Sequence, residues 1–369
     1  MNILIAADYR APQSGNFIAS LIALGRKLQK NGSHVVYVFP SERNWINWIR
    51  NEQFEVVITG EQALLAENQF PVLCTLLETY QIDLVHTHFG MFHHALIHNR
   101  KNMQSIKIVI HDHMDFSVNS KVAIQYLRSI AHSIVYAANN INVISVMRRK
   151  NQSYVFLKRK WFIPNGLSME RYIDKSMTRK ECRESLGVRD TDIVCLLLGW
   201  DLKRKGFDVA LKAVYECRKR NPNIILGIIG AGKGVPSDSA KSFIKNHTSF
   251  NPDEPWIRYF DNYEDMFAVH RAIDVYISAS RMEAFSYGLL EAISQETPVV
   301  VSDIPGTNWA SMYSNSYFYS VEDFQMCSDA IMDAVHIGRV STNAKDVVRQ
   351  YGIDKWCDEV LSVYNVVMD

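Results

Sequence analysis

Short runs of hydrophobic residues alternate along this chain with longer segments in which hydrophobic positions recur every three or four residues. The runs predict buried strands, and the recurrence is typical of amphipathic helices. In the first half of the chain the predicted strands are 2–7, 34–39, 55–58, 84–88, 107–111, 141–145 and a short one near Phe162. Strands that alternate with helices predict a parallel sheet covered by helices on both faces.

The same alternation begins again after the turn-forming residues Pro164, Asn165 and Gly166. The predicted strands of this second half are 192–198, 224–229, 256–260, 274–278 and 298–302, with helices that start at Phe207 and Phe285. At 369 residues the chain is longer than one hydrophobic core usually serves. It is therefore predicted to form two α/β domains, over 1–162 and 163–351.

Composition and cysteine usage favour a soluble cytoplasmic protein. Hydrophobic residues make up 47% and charged residues 21% of the chain, which is ordinary for a globular protein. The six cysteines show no CxxC spacing, so we expect reduced thiols rather than disulfides or a zinc site. The first residues are typical of a strand rather than of a signal peptide, and no hydrophobic run is long enough to span a bilayer.

Charge is distributed unevenly between the two halves. Residues 1–165 contain 17 Lys and Arg against 10 Asp and Glu, whereas residues 166–369 carry a net charge of −6. A basic cluster interleaved with aromatic residues consists of Arg148, Arg149, Lys150, Lys158, Arg159 and Lys160. It favours peripheral contact with an anionic membrane or a lipid diphosphate, and an ordinary solvent-exposed edge is the alternative. The acidic second half argues against a nucleic-acid partner.

A basic loop follows the first strand of the second domain, in the sequence GWDLKRKG. Lys203, Arg204 and Lys205 stand just before a helix, where the positive end of the helix dipole disfavours cations. They therefore need an anionic partner such as a phosphate, or they point into solvent at an exposed helix start. The next strand ends in IIGAGKG, whose glycines permit tight turns but are weak evidence alone.

Two carboxylates flank a predicted helix start in the segment RMEAFSYGLLEAIS. Glu283 precedes the helix, which is expected to begin near Phe285–Ser286 with N–H groups that suit a diphosphate. Glu291 interrupts a hydrophobic run further along this helix. A buried carboxylate is costly unless strong donors meet it. Either sugar hydroxyls or backbone N–H groups of a neighbouring loop are therefore expected beside Glu291.

Glu283 and Glu291 form an E-x7-E motif that resembles that of the retaining glycosyltransferases of family 4, the glycosyl transferases group 1. Four further segments resemble motifs of this family in the family's order: IPNG at 163–166, GWDLKRKG, IIGAG and TPVVVSDIPG. The resemblance implies the GT-B fold, an α/β architecture of two Rossmann-like doubly wound domains that face each other across a cleft. The first domain would bind the acceptor and the second the nucleotide-sugar donor. A C-terminal helix at about 352–369 would pack back on the first domain.

The resemblance also implies roles for individual residues. Lys205 and Arg204 would neutralise the donor diphosphate, and Glu283 would face the donor sugar. Glu291 would accept hydrogen bonds from the ribose hydroxyls, and His88 would contact the donor sugar. The catalytic residues implied are His88, Glu283 and Lys205. The remaining donor-binding residues implied are Gly15, Asn16, His111, Gly199, Gly230, Gly232, Ala284, Phe285 and Ser286.

Several positions depart from the family pattern. Trp200 stands where an arginine that would contact a phosphate is common in the family. Ala284 and Ser286 replace glycines of the usual E-G-F-G, and Ala284 leaves less room for the backbone to approach a phosphate. Glu296 replaces a glycine after the helix, at a cost of about 1 kcal/mol if its backbone is left-handed. We interpret these changes as variation within the family, since both glutamates and Lys205 are kept.

Seven histidines occur between positions 86 and 113, and the pairs His86/His88 and His111/His113 each share one face of a strand. A metal cluster is one interpretation, but no second-shell pattern accompanies it. The segment Asp190–Asp192 spells DTD, as in metal-binding DxD motifs, but it precedes a strand instead of following one. We interpret it as a solvent-exposed loop. Chemistry without a metal or other cofactor is therefore expected.

The function implied by the resemblance is a hexosyl transfer with retention of configuration, from a UDP-sugar, or alternatively a GDP-sugar, to a hydroxyl acceptor. The expected acceptor is a lipid-linked glycan of bacterial surface polysaccharide, such as capsule or exopolysaccharide. The enzyme would lie in the cytoplasm or peripherally on the inner face of the membrane. Two alternatives stay open: a GT-B epimerase that acts on the nucleotide sugar itself, and a non-catalytic binding protein with the same fold.

Overall fold

The computed structural model describes residues 1–11, 13–113, 136–137, 139–147, 158–171, 176–199, 201–230, 236–260, 265–340 and 344–369. The chain divides into two compact units, one of Met1–Gly166 with Ile353–Asp369 and the other of Leu167–Gly352. The observed boundary falls after Gly166 rather than after residue 162, because the intervening segment is bonded to the first unit. Ile163 N–H donates to the Ser145 carbonyl (3.0 Å), and Ser20 Oγ donates to the Gly166 carbonyl (3.2 Å).

The first unit contains a sheet of seven parallel strands among its described residues. These are β1 (Asn2–Ala7), β2 (His34–Phe39), β3 (Glu55–Ile58), β4 (Leu84–His88), β5 (Lys107–Asp112), β6 (Asn142–Ser145) and β7 (Arg159–Phe162), in the order β3-β2-β1-β4-β5-β6-β7. The helices are α1 (Gly15–Lys30), α2 (Ile46–Asn51), α3 (Ala66–Thr79) and α4 (His93–His98), together with the C-terminal helix (Ile353–Met368). All seven strands predicted for this half are confirmed.

The second unit contains a sheet of six parallel strands within the described ranges. These are β8 (Ile193–Leu198), β9 (Ile224–Ile229), β10 (Ile257–Phe260), β11 (Val275–Ser278), β12 (Val299–Ser302) and β13 (Ser316–Tyr319), in the order β10-β9-β8-β11-β12-β13. The helices are α5 (Arg179–Ser185), α6 (Phe207–Arg220), α7 (Pro236–His247), α8 (Met266–Ala272), α9 (Tyr287–Ser294), α10 (Phe324–Ile337) and α11 (Ala344–Tyr351). The five predicted strands are confirmed, and β13 has no counterpart among them.

Hydrophobic burial explains why these segments become strands and helices. Every residue of β9 is buried, as expected of a strand covered on both faces. In α1, Phe17, Leu21, Leu24 and Leu28 recur at helical spacing, and all four are buried. The positions that carry the sequence pattern are therefore the positions that form the core.

The strand order of each sheet creates a topological switch point. The order reverses between β1 and β4 in the first sheet, and between β8 and β11 in the second. Ligands of open parallel sheets bind at the carboxyl ends of the strands beside such a point. Functional side chains are therefore expected in the loops that follow β1 and β4 in the first unit, and β8 and β11 in the second.

None of the six cysteines, all of which are described, forms a disulfide, as the sequence predicts. Burial raises the pKa of the Cys327 and Cys357 thiols to about 12, so both stay protonated at neutral pH. In the part of the chain that the structure covers, no helix combines the length and the apolar character that crossing a bilayer requires.

Candidate active site

The loops after β8 and β11 are joined at the switch point of the second unit. The Arg281 N–H donates to the Arg204 carbonyl at 2.7 Å. The Arg281 guanidinium also pairs with Asp208 of α6 at 2.9 Å, and with Glu322. The basic loop and the loop that carries Glu283 are therefore held together at one edge of the sheet.

Glu283 is surrounded by side chains that donate hydrogen bonds to its carboxylate. Its Oε1 accepts a short hydrogen bond from Lys205 Nζ and a hydrogen bond of 3.0 Å from Ser280 Oγ, and Arg204 Nη1 lies 3.2 Å from the same oxygen. Burial alone raises the pKa of Glu283, but the charges of Lys205 and Arg204 outweigh burial, so this pKa lies below its ordinary value. The structure thus brings Lys205, Arg204 and Glu283 together, with Glu283 ionised at neutral pH.

The Lys205 side chain packs against Gly199, the first residue after β8. Gly199 has a φ of +140°, and a Cβ at this position would lie 2.8 Å from Lys205 Cγ. A larger residue would therefore displace the lysine stem, in addition to straining the backbone. The structure gives Gly199 a packing role, and its contact with the nucleotide-sugar donor stays a prediction.

A third loop, after β12, supports Glu283. A Cβ at Gly306 would lie 1.8 Å from the Glu283 carbonyl oxygen, so only glycine permits this approach. Phe285 stacks on Trp309 with ring centroids 4.7 Å apart, and its ring lies 5.3 Å from that of Tyr351. The backbone around Glu283 and Phe285 is therefore held by packing. Motif spacing does not indicate Trp309, and it marks Gly306 only as part of the segment TPVVVSDIPG.

The helix that carries Glu291 begins slightly later than predicted. α9 starts at Tyr287, and Ser286 is its N-cap, with Ser286 Oγ accepting from the Leu289 N–H at 3.3 Å. The Ser286 hydroxyl also has a hydrogen bond with Tyr276. These contacts give the Ser286 side chain a structural role, and its contact with the nucleotide-sugar donor stays a prediction. The first turn still presents the positive end of the helix dipole at this edge of the sheet.

Glu291 lies in the second turn of α9 and is only 3% exposed. Its Oε2 is 3.9 Å from Nε2 of His270, a buried residue of α8. The pKa of the buried Tyr276 is raised, first by burial and then by the charges of Glu283 and Glu291. The structure thus shows the buried carboxylate that the sequence predicts, beside a histidine that the sequence does not indicate. The ribose contact of Glu291 stays a prediction.

In the first unit, the predicted turn around Gly15 and Asn16 follows β1. Gly15 starts α1 with a φ of +57°, and Asn16 is buried. The Tyr9 hydroxyl donates to the carbonyls of Gln13 (3.0 Å) and Ser14 (3.2 Å), which closes the loop at the start of α1. The contacts of Gly15 and Asn16 with the nucleotide-sugar donor stay predictions.

Four histidines form a stack at the ends of β4 and β5, called here the histidine stack: His86, His88, His111 and His113. The ring centroids of His88 and His111 are 4.9 Å apart, and those of His111 and His113 are 4.2 Å apart. Burial lowers the pKa of His86 and His113 to about 3, and that of His88 and His111 well below the ordinary value. All four imidazoles are therefore neutral at pH 7.

The histidine stack also has the spacing of a metal site. One ring nitrogen from each of His86, His88 and His111 lies within 4.8 Å of the others, close enough for three imidazoles to hold a metal ion. However, His86 Nε2 and His111 Nδ1 already share a hydrogen bond of 3.3 Å. Metal-free chemistry stays a prediction.

Some predicted residues lie outside the described ranges: Gly232, Trp200 and the basic residues Arg148, Arg149 and Lys150. Gly230 follows β9 with a φ of +81°. Lys158 directly precedes the edge strand β7, and Arg159 and Lys160 are its first two residues. All three side chains are exposed. The described half of the basic cluster is thus accessible to an anionic partner.

Two further expectations have opposite outcomes. Glu296 has a φ of +58°, so the left-handed backbone considered at this position is confirmed. Asp192 is buried, and it accepts hydrogen bonds from the Arg189 N–H (2.9 Å) and guanidinium (2.7 Å). The interpretation of DTD as a solvent-exposed loop is therefore wrong for Asp192, because Arg189 compensates its burial. Asp192 still precedes β8, at the opposite end of that strand from Lys205.

Comparison with known proteins gives a family for the second unit. Residues 178–350 match the family described as Glycosyl transferases group 1. Alpha-monoglucosyldiacylglycerol synthase of Streptococcus pneumoniae is 23% identical over 84% of this chain and 72% of its own length. The GPI3 subunit of phosphatidylinositol N-acetylglucosaminyltransferase of Saccharomyces cerevisiae is 20% identical over 83% of this chain and 68% of its own length.

Solved structures share the fold of the whole chain. HepE of Anabaena, in complex with UDP and glucose, has a TM-score of 0.79 at 15% identity over 99% of both chains. The same protein in complex with UDP-glucose has a TM-score of 0.78 at 14% identity, over 99% of this chain and 100% of its own. At such identity the likeness establishes the fold, and the predicted GT-B architecture is confirmed.

Proposed function

Because this chain belongs to the group 1 glycosyltransferases and has the GT-B fold, we propose that it transfers a sugar from a nucleotide-diphosphate donor to a hydroxyl acceptor with retention of configuration. The observation that carries the proposal is the cluster of Lys205, Arg204 and Glu283 at the switch point of the second unit. The start of α9 follows Glu283 by a few residues. Two cations and a helix dipole therefore meet at one edge of the sheet, an arrangement that suits a diphosphate.

The exposure of the two cations supports this role. The Lys205 side chain is 17% and the Arg204 side chain 29% exposed, whereas Glu283 between them is 10% exposed. The carboxylate holds both cations in place without using all of their N–H groups, since an ammonium has three donors and a guanidinium five. Arg204 Nε also donates to Asp201 Oδ2 (3.2 Å) and Arg204 Nη1 to the Met282 carbonyl (3.1 Å), so Nη2 of Arg204 and the remaining N–H groups of Lys205 are available to phosphate oxygens.

The proposed reaction is a displacement on one face of the sugar. The bond between the anomeric carbon and the phosphate oxygen breaks, and the acceptor oxygen bonds to that carbon from the same face. The acceptor proton passes to the departing phosphate oxygen. Lys205 and Arg204 stabilise the negative charge that develops on this oxygen, in place of a metal ion. Glu283 holds sugar hydroxyls rather than acting as a nucleophile, because Lys205, Arg204 and Ser280 already meet its Oε1.

A UDP-sugar is the favoured donor, with a GDP-sugar as the alternative. HepE, which shares the fold, binds UDP and UDP-glucose. The names of the two sequence relatives describe the synthesis of a glucosylated diacylglycerol and an N-acetylglucosaminyl transfer to phosphatidylinositol. Both names favour an acceptor that carries a lipid. The acceptor proposed for this chain is a lipid-linked glycan of bacterial surface polysaccharide. The exposed basic residues of β7 would then contact the membrane surface.

Purified protein incubated with a panel of UDP- and GDP-sugars tests the proposal. Calorimetry measures donor binding, and release of nucleoside diphosphate is measured with and without lipid acceptors (diacylglycerol, phosphatidylinositol and a polyprenyl-diphosphate sugar). Release that depends on an acceptor, with retained configuration at the anomeric carbon of the product by NMR, supports the proposal. Conversion of the nucleotide sugar without an acceptor indicates an epimerase instead. Failure of every nucleotide sugar to bind at millimolar concentration would overturn donor binding altogether.

A further inference from the structure

The Tyr276 hydroxyl lies against the first turn of α9, and no step of the proposed reaction involves it. Tyr276 belongs to β11, a central strand of the second sheet, and the residue is only 2% exposed. Its backbone N–H donates to the Pro298 carbonyl at 2.9 Å. The sheet therefore holds Tyr276 in place, and its hydroxyl is a fixed point for the helix that packs on it.

Gly288, the second residue of α9, leaves the space that this hydroxyl occupies. A Cβ at Gly288 would lie 2.5 Å from Tyr276 Oη, which is too close for two non-bonded atoms. The φ of Gly288 is not positive, so the backbone conformation does not require glycine here. Glycine destabilises a helix relative to alanine. The approach of the Tyr276 hydroxyl is therefore the physical reason for glycine at this position.

The Ser286 hydroxyl connects Tyr276 to the helix start. Ser286 is the N-cap of α9, and its Oγ accepts from the Leu289 N–H at 3.3 Å. Burial and then the charges of Glu283 and Glu291 raise the pKa of Tyr276, and the hydrogen bond with Ser286 partly offsets this rise. A hydrogen bond that lowers the pKa of a phenol is donated to the phenol oxygen. The Ser286 hydroxyl therefore donates to Tyr276 and accepts from α9.

This connection accounts for a departure from the family pattern. Ser286 stands where the second glycine of E-G-F-G is usual, and a glycine has no hydroxyl to bond to Tyr276. Ser286 and Gly288 therefore both suit the same tyrosine: one bonds to its oxygen, and the other gives that oxygen room.

We propose that Tyr276 is a positioning residue of the candidate diphosphate site, which fixes the start of α9 against β11 through Ser286. The helix dipole acts on a charge only near the first turn, so the position of that turn matters. A displacement of about 1 Å at a reaction centre can cost on the order of 100-fold in rate. The identity of the ligand as a diphosphate rests on the proposed function. The coupling of the two hydroxyls does not depend on it.

Tyr276→Phe removes the hydroxyl and keeps the ring. We expect kcat for sugar transfer to fall about tenfold, the effect of one buried hydrogen bond. KM for the nucleotide sugar should change less than about threefold, because the negative charge on the leaving group develops only in the transition state. Wild-type kcat and KM in the folded variant would overturn the positioning role.

Ser286→Gly removes the other hydroxyl and keeps an acceptable N-cap residue. It should lower kcat by about the same factor as Tyr276→Phe, since both variants lose the same hydrogen bond. The double variant should be no slower than either single variant. Losses that multiply in the double variant would show that Tyr276 does not act through Ser286, and would overturn the proposal.

Urea unfolding of Gly288→Ala measures the close contact without any ligand. In the wild-type background the new methyl group meets Tyr276 Oη, so the unfolding midpoint should fall to lower urea concentration. In the Tyr276→Phe background that oxygen is absent and alanine favours the helix, so the same change should not lower the midpoint. Equal destabilisation of both backgrounds would contradict the close contact.

Tyr259→Phe is the matched control for lost stability. The Tyr259 hydroxyl donates to the Pro252 carbonyl (2.9 Å), and Tyr259 lies on β10, an outer strand of the same sheet. This variant should be less stable and should keep the wild-type kcat and KM. A fall in kcat equal to that of Tyr276→Phe would assign both effects to general destabilisation and overturn the positioning role.

The outcomes separate this inference from the proposed function. If the wild type neither binds a nucleotide sugar nor transfers a sugar, the proposed function fails, and with it the ligand assigned to the start of α9. The urea experiments then still decide whether Tyr276 fixes that start. If the wild type is active, the kinetic variants decide the positioning role itself.

Discussion

The ammonium of Lys205 and the carboxylate of Glu283 form a short hydrogen-bonded ion pair that joins the loops after β8 and β11. The two side chains are 17% and 10% exposed, so water and salt screen the pair less than an exposed one. Removing one partner leaves the other charge uncompensated in a poorly hydrated place, which costs more than an exposed pair contributes. The pair therefore fixes the two loops and holds the ammonium where a leaving group is proposed.

Lys205→Ala removes the proposed counter-charge of the leaving group. We expect kcat/KM for the nucleotide sugar to fall by about 10²- to 10³-fold, as when one contact to a developing oxyanion is lost. Release of nucleoside diphosphate measures the effect. Lys203→Ala is the matched control, because Lys203 is exposed in the same loop, and its kcat/KM should stay within about twofold. Equal losses in both variants would assign the effect to the overall charge of the loop.

The lowered pKa of Glu283 makes its ion pair sensitive to acid. In the folded chain this pKa lies below its ordinary value of 4.5, so the unfolded state binds the proton more tightly. The stability that the carboxylate contributes is therefore complete above pH 4.5 and is lost as the pH falls through the lower, folded-state pKa. Urea unfolding should show a constant difference in free energy between wild type and Glu283→Gln near neutral pH, and a shrinking difference in acid. A difference that does not change with pH would contradict this assignment.

The strands β9 and β13 show how far the fold follows from the sequence. β9 is an unbroken apolar segment, IILGII, so local composition alone predicts a buried strand. β13, with the sequence SYFY, is an edge strand that among the described strands pairs only with β12, and most of its residues are half-buried. Its place depends on contact with a neighbouring strand, which a local pattern does not contain.

Some residues of the candidate site can likewise be predicted from the sequence, whereas others cannot. Lys205 and Glu283 follow from spacing, because the end of a strand and the start of a helix fix their positions locally. His270 meets Glu291 from another helix, and Tyr364 meets His86 from a helix at the far end of the chain. These pairs arise from the packing of separate elements, so motif spacing cannot indicate them.

Two glutamates with left-handed backbone give a contrast in stability. Glu296 has a φ of +58° and Glu322 a φ of +72°. Glu296→Gly should raise the free energy of unfolding by about 0.5–1 kcal/mol, because glycine adopts this backbone without strain. Glu322→Gly relieves similar strain but removes an ion pair with Arg281 (2.8 Å), so it should stabilise less. Urea unfolding measures both. A destabilised Glu296→Gly would show that the contacts of its side chain outweigh the backbone strain.

Gly306→Ala tests the packing behind Glu283. A methyl group there would lie 1.8 Å from the Glu283 carbonyl oxygen, so one of the two loops must move. A displacement of about 1 Å at a reaction centre costs on the order of 100-fold in rate, which is the loss of kcat expected. Pro305→Ala, at an exposed position next to it, is the control and should keep full activity. Full activity of a folded Gly306→Ala protein would show that the position of Glu283 is not critical.

Glu291→Gln separates a ribose contact from a purely structural pairing with His270. Calorimetry compares the affinity for UDP with that for 2′,3′-dideoxy-UDP. If Glu291 accepts hydrogen bonds from the ribose hydroxyls, the wild type should prefer UDP by about tenfold or more, and the loss of charge should reduce this preference in the variant. His270→Gln is the control: it keeps the carboxylate and should keep the preference for UDP. A Glu291→Gln protein that is less stable but prefers UDP as strongly as the wild type would limit Glu291 to packing beside His270.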